Sequence, residues 1–416
     1  MINKLVSIML LSVSVPAMAQ GMVGHVHDAS CSHQWSEDQG QLTLQNSRLG
    51  TPMAASLAAG GGLTFVLNDL GGVGIGTDAR RGFEAAAAMW SRVLKDSATI
   101  RLDVQFSALG PNILGSTGST TNSVGYAGLK TLLSNDAKTF FDRSSVGALQ
   151  GGNALSFVTN EPPAGGAINS ATRFLDNNGT VDNLNIQINT AQVKALGLAP
   201  IYAANNPNGR DGSVSFSTLF NWDFDPTDGI TPGTIDFVGV AAHEIGHALG
   251  FRSGVDLADG NALPGVALPG RRGLNGLAWG TVNDLNRYGQ FGGDTVLDWS
   301  IGGVPCFSIN GGRNCLAPLS TGRLNGDGRQ ASHWKDDTLL NIFPPIGIMD
   351  PTASGPGGSR PFMRISKYDL IAFDTMGYDL AVPEPDTWMM LIAGFGLVGA
   401  VMRRQAKAGA GQTIRG

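Results

Sequence analysis

The sequence predicts an α+β protein, with a mixed twisted sheet and a buried helix in an N-terminal subdomain and a loop-rich C-terminal subdomain. Three observations carry this. Strand-like segments bracket an amphipathic helix and recur before a second, strongly apolar helix. Hydrophobic residues make up 42% of the 416, enough to bury a sizeable core. Gly accounts for 59 residues, which points to many turns and long ordered loops, above all between 257 and 330.

The elements follow in order. LTFVLND (63–69) reads as a strand, rich in β-formers and ended by Asn-Asp. Thr77 or Asp78 then caps a helix whose Phe83, Ala87, Trp90 and Leu94 share one face. IRLDVQF (100–106) alternates apolar and polar, as a half-buried strand does, and ALSFVTN (154–160) and LNIQINT (184–190) read as further strands. TIDFVGVAAHEIGHALG (234–250) is a buried helix by composition, stopped by Gly250. DTVLDWSI (294–301) is a strand-like piece of the Gly-rich region. A short closing helix lies within 365–380, with Ser366 and Asp369 as a capping-box-like start and Leu370, Phe373 and Met376 or Gly377 at helical spacing.

Both chain ends read as targeting signals. Lys4, the apolar run from Leu5 to Val15 and Ala17-Met18-Ala19 make a secretory signal, cut after Ala19. At the other end Pro383-Glu384-Pro385 precedes an apolar run from Trp388 to Met402, closed by Arg403 and Arg404. The run is short for a membrane span, and Trp388 and the arginines extend it to the interfaces. This tail resembles the PEP-CTERM sorting signal of Gram-negative bacteria, although twelve residues follow Arg404. The resemblance implies passage through the Sec machinery, transient anchoring in the inner membrane, recognition by an exosortase, and release to the cell surface or extracellular matrix. The expected organisation is a signal peptide (1–19), a pro-segment or linker (20–60), an N-terminal catalytic subdomain (61–256), a C-terminal subdomain (257–380) and a sorting tail with a short transmembrane segment (381–416).

HEIGHALGF (243–251) carries the chemistry. His243 and His247 are one helical turn apart on the same face, so both imidazoles can reach one zinc ion. Glu244 is rotated about 100° away, beside the metal, where it can take a proton from the attacking water. A catalytic zinc needs a third protein ligand. The nearby position that would supply one in the extended motif is Ser253, a poor zinc ligand. Asp256 and His333 are the candidates that remain; His333, in ASHWKDD, is the only histidine after the motif.

HEIGHALGF, a long insertion, SHWK and then IGIMDP (346–351) together resemble the leishmanolysin-like metzincins. That resemblance implies a metzincin-like fold, His333 as third ligand displaced far downstream, and Met349 as the methionine of a turn packed beneath the metal. It implies a zinc metalloendopeptidase acting on proteins or peptides, with Glu244 as general base. The alternative is a noncatalytic surface or matrix protein that keeps the zinc site for stability; an intact Glu244 speaks against it, because a structural site needs no base.

Charge and cysteine usage narrow the remainder. Net charge is −5 and no basic stripe is visible, so nucleic-acid binding has no support. Export permits disulfides, and Cys306 and Cys315 bracket a turn-rich loop that can join them. Cys31, within HVHDASCSH, is then left over: either an unpaired thiol in a tail, the reading preferred here, or a latch over the zinc. Asp223, Asp225 and Asp228 in DFDPTDG suggest a calcium loop, but the spacing departs from that pattern and a solvated Asx-turn is preferred.

Overall fold

The computed structural model describes residues 23–28, 62–109, 113–168, 170–198, 209–262, 273–342, 344–353 and 363–380. The signal peptide, Cys31 and the sorting tail lie outside them. Among the described residues no helix is long and apolar enough to cross a membrane.

The chain is α+β, as the sequence predicts. In chain order its first strands are β1 (Val23–Asp28), β2 (Thr64–Gly71), β3 (Thr99–Ser107), β4 (Ile113–Ser119), β5 (Thr121–Gly125), β6 (Phe157–Thr159), β7 (Phe174–Asp176), β8 (Asn185–Asn189) and β9 (Gly212–Ser217). After the short bridge of β10 (Trp222–Asp223) and β11 (Ile235–Asp236) come β12 (Arg287–Phe291), β13 (Asp294–Asp298), β14 (Cys306–Phe307) and β15 (Ala317–Pro318). One sheet has the order β1-β4-β9-β3-β2; β2, β3 and β9 are parallel, and β4 and β1 are antiparallel to their neighbours. A second has the order β15-β14-β12-β13-β6-β7. It therefore joins strands from both sides of residue 256.

Alternation in β2 and β3 works as predicted: Phe65, Leu67, Ile100, Leu102 and Val104 are buried and the residues between them point outward or half outward. Helix α1 (Asp78–Val93) covers this face, capped by the Thr77 hydroxyl. Its Phe83 meets Phe216 of β9 and Phe237 edge-on, with ring centroids 5.4 and 5.0 Å apart. Beneath α1 runs the site helix, Phe237–Leu249. It starts later than the sequence suggests, because Ile235 and Asp236 pair in β11 and Asp236 becomes the cap, its carboxylate accepting from Gly239 N. Trp90 reaches across from α1 and donates its indole N–H to Ala242 O at 2.8 Å, fixing how the two helices sit.

Residues 23–28, within the stretch read as a pro-segment or linker, form a strand on the edge of the first sheet. Strands β4 and β9 were missed. Their Gly, Ser and Thr content suggests loops, yet small residues are what a strand needs where a helix lies directly on it. The Cys306–Cys315 disulfide forms, with the Cα atoms 5.5 Å apart. Asp223 accepts from Asp225 N and Thr231 N, and Asp225 from Thr227 N. The two contacts to the residue two positions on are Asx-turns, the Thr231 contact closes the loop, and no metal-sized grouping of carboxylates forms there among the described residues. In the closing helix, Lys367–Thr375, the capping box of Ser366 and Asp369 is present. Its inward face is Ile371, Ala372 and Phe373, whereas Leu370 is half-buried.

Around that helix the chain gathers Asp96, Asp136, Asp142, Asp374 and Asp379 near Lys138. Lys138 pairs with Asp379 and lies 3.8 Å from Asp136; Thr139 Oγ1 donates to Asp374 at 2.6 Å; Asp379 N donates to Asp96. Burial pushes Asp374 up to about 8 and Asp96 up to about 7. A raised carboxyl means the folded state holds its proton more tightly. The resulting stabilisation is full below the unfolded value near 3.8 and is lost as pH rises through about 7 to 8. Melting temperature should therefore fall between about pH 5 and pH 8, by on the order of 3 °C or more. Asp374→Asn should flatten that slope; an unchanged slope in the variant would contradict this assignment.

Candidate metal centre

The site helix owes its burial to Ala241, Ala242, Ile245, Ala248 and Leu249, which leave its polar side chains on one face. His243, Glu244 and His247 are all 0% exposed. Polar groups so buried need partners, at a cost of about 1–3 kcal/mol each if left without. The C-terminal carbonyls of the helix are met by side chains. Asn189 Nδ2 donates to His247 O and Ala248 O, Ser119 Oγ to His247 O, and Tyr378 Oη to Leu249 O. Gly250, at φ 125°, turns the chain away in a conformation that favours glycine.

His333 joins the pair from 86 residues downstream. Its Nε2 is 3.3 Å from His243 Nε2, and His247 Nε2 is 3.0 Å from His243 Nε2. Tetrahedral ligands about 2.05 Å from zinc would lie about 3.3 Å from one another. The opposite ring nitrogen of each histidine faces a backbone carbonyl: His243 Nδ1 to Ile348 O at 2.6 Å, His247 Nδ1 to Phe251 O at 2.7 Å, and His333 Nδ1 to Gln330 O at 3.1 Å. A carbonyl only accepts, so each Nδ1 carries the hydrogen. The Nε2 atoms of the three rings are thereby the ones left to face one another. Burial pushes His243 down to about 4, which keeps it neutral at ordinary pH. Three imidazole nitrogens this close together could hold a metal ion between them.

Asp256 does not join this group. Its carboxylate takes the N–H groups of Ala331 and Ser332 and the Ser332 hydroxyl. It is oriented by the segment that leads into His333. Ser253, in the position of the nearby ligand, does similar work: its N–H donates to Ser332 Oγ at 2.9 Å and its hydroxyl to Asp284 at 2.6 Å. The residues just past the site helix thus grip the chain that delivers the third imidazole.

Met349 is fully buried against the site helix at Gly246, where a Cβ would stand 2.5 Å from its sulfur. Its turn is held by Asp369 of the closing helix, a residue the sequence marks only as part of a helix cap. Asp369 accepts from Ile348 N at 2.9 Å, Met349 N at 3.3 Å, Ser366 N at 2.7 Å and the indole N–H of Trp334 at 2.8 Å. Trp334 follows His333, so one carboxylate ties the methionine turn to the segment that carries His333. Gly347 makes room for it, since a Cβ there would lie 2.1 Å from Asp369 Oδ2.

The Glu244 carboxylate lies against β4, beside Thr117 and Gly115. Thr117 Oγ1 donates to its Oε2, whereas Oε1 has no hydrogen-bond partner. Burial pushes the Glu244 carboxyl up to about 8, against the Thr117 hydrogen bond, and a cation held by the neighbouring imidazoles would pull it down again. A further close carboxylate group, Asp336, Asp337 and Asp350, is already engaged: Asp336 by Arg329 and Thr338, Asp350 by Thr352 and Asp337 N.

Comparison with family models matches residues 381–405 to the PEP-CTERM protein-sorting motif. The tail is thus a sorting signal of the kind an exosortase recognises, and it marks the protein for export to the surface or exterior of a Gram-negative cell. No curated protein and no solved structure matches the chain.

Removing the Asp369 carboxylate should loosen the centre from a distance. Asp369→Ala strands four donors, so unfolding stability should drop by about 3 kcal/mol or more, and chelator competition should show weaker zinc retention. Wild-type zinc retention in a folded Asp369→Ala protein would contradict its role as the tie.

Proposed function

We propose that this chain is an exported zinc-dependent endopeptidase. The observation that carries the reading is the convergence of three Nε2 atoms whose opposite nitrogens are all occupied, with a carboxylate beside them. His243, His247 and His333 would hold zinc, which when bound supplies a Lewis acid for the scissile carbonyl and lowers the pKa of a water. Glu244 takes the proton of the attacking water and hands it to the leaving amine. Met349 packs on the site helix at Gly246, between His243 and His247 in the chain.

An extended substrate would pair with β4. That strand is antiparallel to β9, and its outer edge faces β1. Residues 23–28 belong to the segment read as a pro-segment, and they run antiparallel to β4 with His25 opposite Thr117 and His27 opposite Gly115. Strand addition is a common way for a sheet edge to hold a peptide. While β1 is in place, that edge is taken. A sorting tail and a secretory signal fit a hydrolase that matures outside the inner membrane.

Two measurements test this. Purified protein lacking its pro-segment should carry one zinc and cleave casein. His333→Ala should lose both, Asp256→Ala should keep most of the zinc if folded, and Glu244→Ala should keep zinc but lose activity by about 10²-fold or more. Zinc without cleavage in the trimmed wild type would instead support a structural metal. Full-length protein, with residues 20–60 retained, should cleave more slowly than the trimmed form; equal rates would remove β1 as a cover.

A further inference from the structure

Strand β4 meets the site helix with three small residues on one face. Gly115, Thr117 and Ser119 are all buried. Ser119 Oγ donates to His247 O at 3.2 Å. Thr117 Oγ1 donates to the Glu244 carboxylate and lies 3.1 Å from Glu244 O. Gly115 leaves the space in which that carboxylate sits: a Cβ there would stand 3.0 Å from Glu244 Oε1 and 3.4 Å from Cδ and Cγ. Thr117 is 0% exposed, so water cannot substitute for its hydroxyl.

We infer that Thr117 and Gly115 are positioning residues for the general base: the Thr117 hydroxyl holds one oxygen of Glu244, and Gly115 gives the other room to face the reacting water. This rests on the peptidase reading above. The physical basis is that Glu244 is one turn-step removed from the ligands and has its own rotamers. Without a fixed partner the carboxylate could swing within the space beside Gly115. Its two oxygens also differ here, since Oε2 is hydrogen-bonded and Oε1 is unpartnered. Oε1, with both lone pairs open, is the better placed of the two to accept the water proton. The same strand that offers its edge to a peptide backbone thus also sets the base, so substrate and base share one rigid element.

The test is a set of variants made in the zinc-loaded protein without its pro-segment. Thr117→Val keeps the shape and removes the hydroxyl; Thr117→Ser keeps the hydroxyl. Gly115→Ala disturbs the base from the other side. Thr117→Val and Gly115→Ala should retain one zinc and an unchanged KM while kcat falls on the order of 10–100-fold, and Thr117→Ser should restore most of kcat. A second readout does not need turnover. Affinity for a peptide hydroxamate, measured by calorimetry, should show that Thr117→Val weakens binding in wild type but not in Glu244→Gln, because the two residues act as one unit. If wild type cleaves peptides and the variants keep kcat, the inference fails. If wild type cleaves nothing yet the hydroxamate cycle shows coupling, the peptidase reading fails and the positioning role stands. Additive effects in that cycle would overturn the positioning role in either case.

Discussion

The structure depends on one electrostatic constraint: three buried imidazoles whose acceptor nitrogens face one another. Each ring is oriented by a carbonyl facing its Nδ1, and the three carbonyls belong to Ile348, Phe251 and Gln330. No single element could supply them. The site helix gives two rings, the turn that ends it gives one carbonyl, and the far segment gives the third ring and two carbonyls. A cation bound at this point, as proposed above, would offset the crowding of these nitrogens, so that metal binding and folding would stabilise each other.

The rest of the architecture reads as support for that arrangement. Trp90 and Phe83 lock α1 onto the site helix, and Asn189, Ser119 and Tyr378 complete its far end. Asp256 and Ser253 hold the backbone leading into His333, and Asp369 holds the backbone around Met349. Each of these carboxylates satisfies several N–H or O–H donors at once. That is how a fold with many glycines and few charged residues keeps long loops in one geometry: buried Asp side chains replace the missing backbone ladders.

Local chemistry made part of this legible in the sequence. The histidine spacing, the Thr77 and Ser366 caps, the alternation in β2 and β3 and the Cys306–Cys315 pairing all depend on residues within a turn or a strand of one another. On the residues alone His333 and Asp256 are both candidate third ligands, because both have suitable chemistry, and it takes tertiary packing to set His333 and not Asp256 beside the two helix histidines. Asp256 turned out to orient the loop that carries His333, which no spacing rule encodes. Strands β4 and β9 were hidden by their small residues, although SVSFS does alternate. The hub at Asp369 and the contact of Thr117 with Glu244 join positions far apart in sequence, and only the capping box hinted at the first.

Export rests on the sorting motif at 381–405; the catalytic reading rests on the imidazole cluster. Zinc-edge X-ray absorption on the purified protein tests that cluster most directly. The account predicts three imidazole nitrogens and one oxygen ligand at about 2.0–2.1 Å, with no sulfur, and loss of one imidazole in His333→Ala. A protein that carries no zinc after purification and reconstitution, or a spectrum unchanged by His333→Ala, would contradict it.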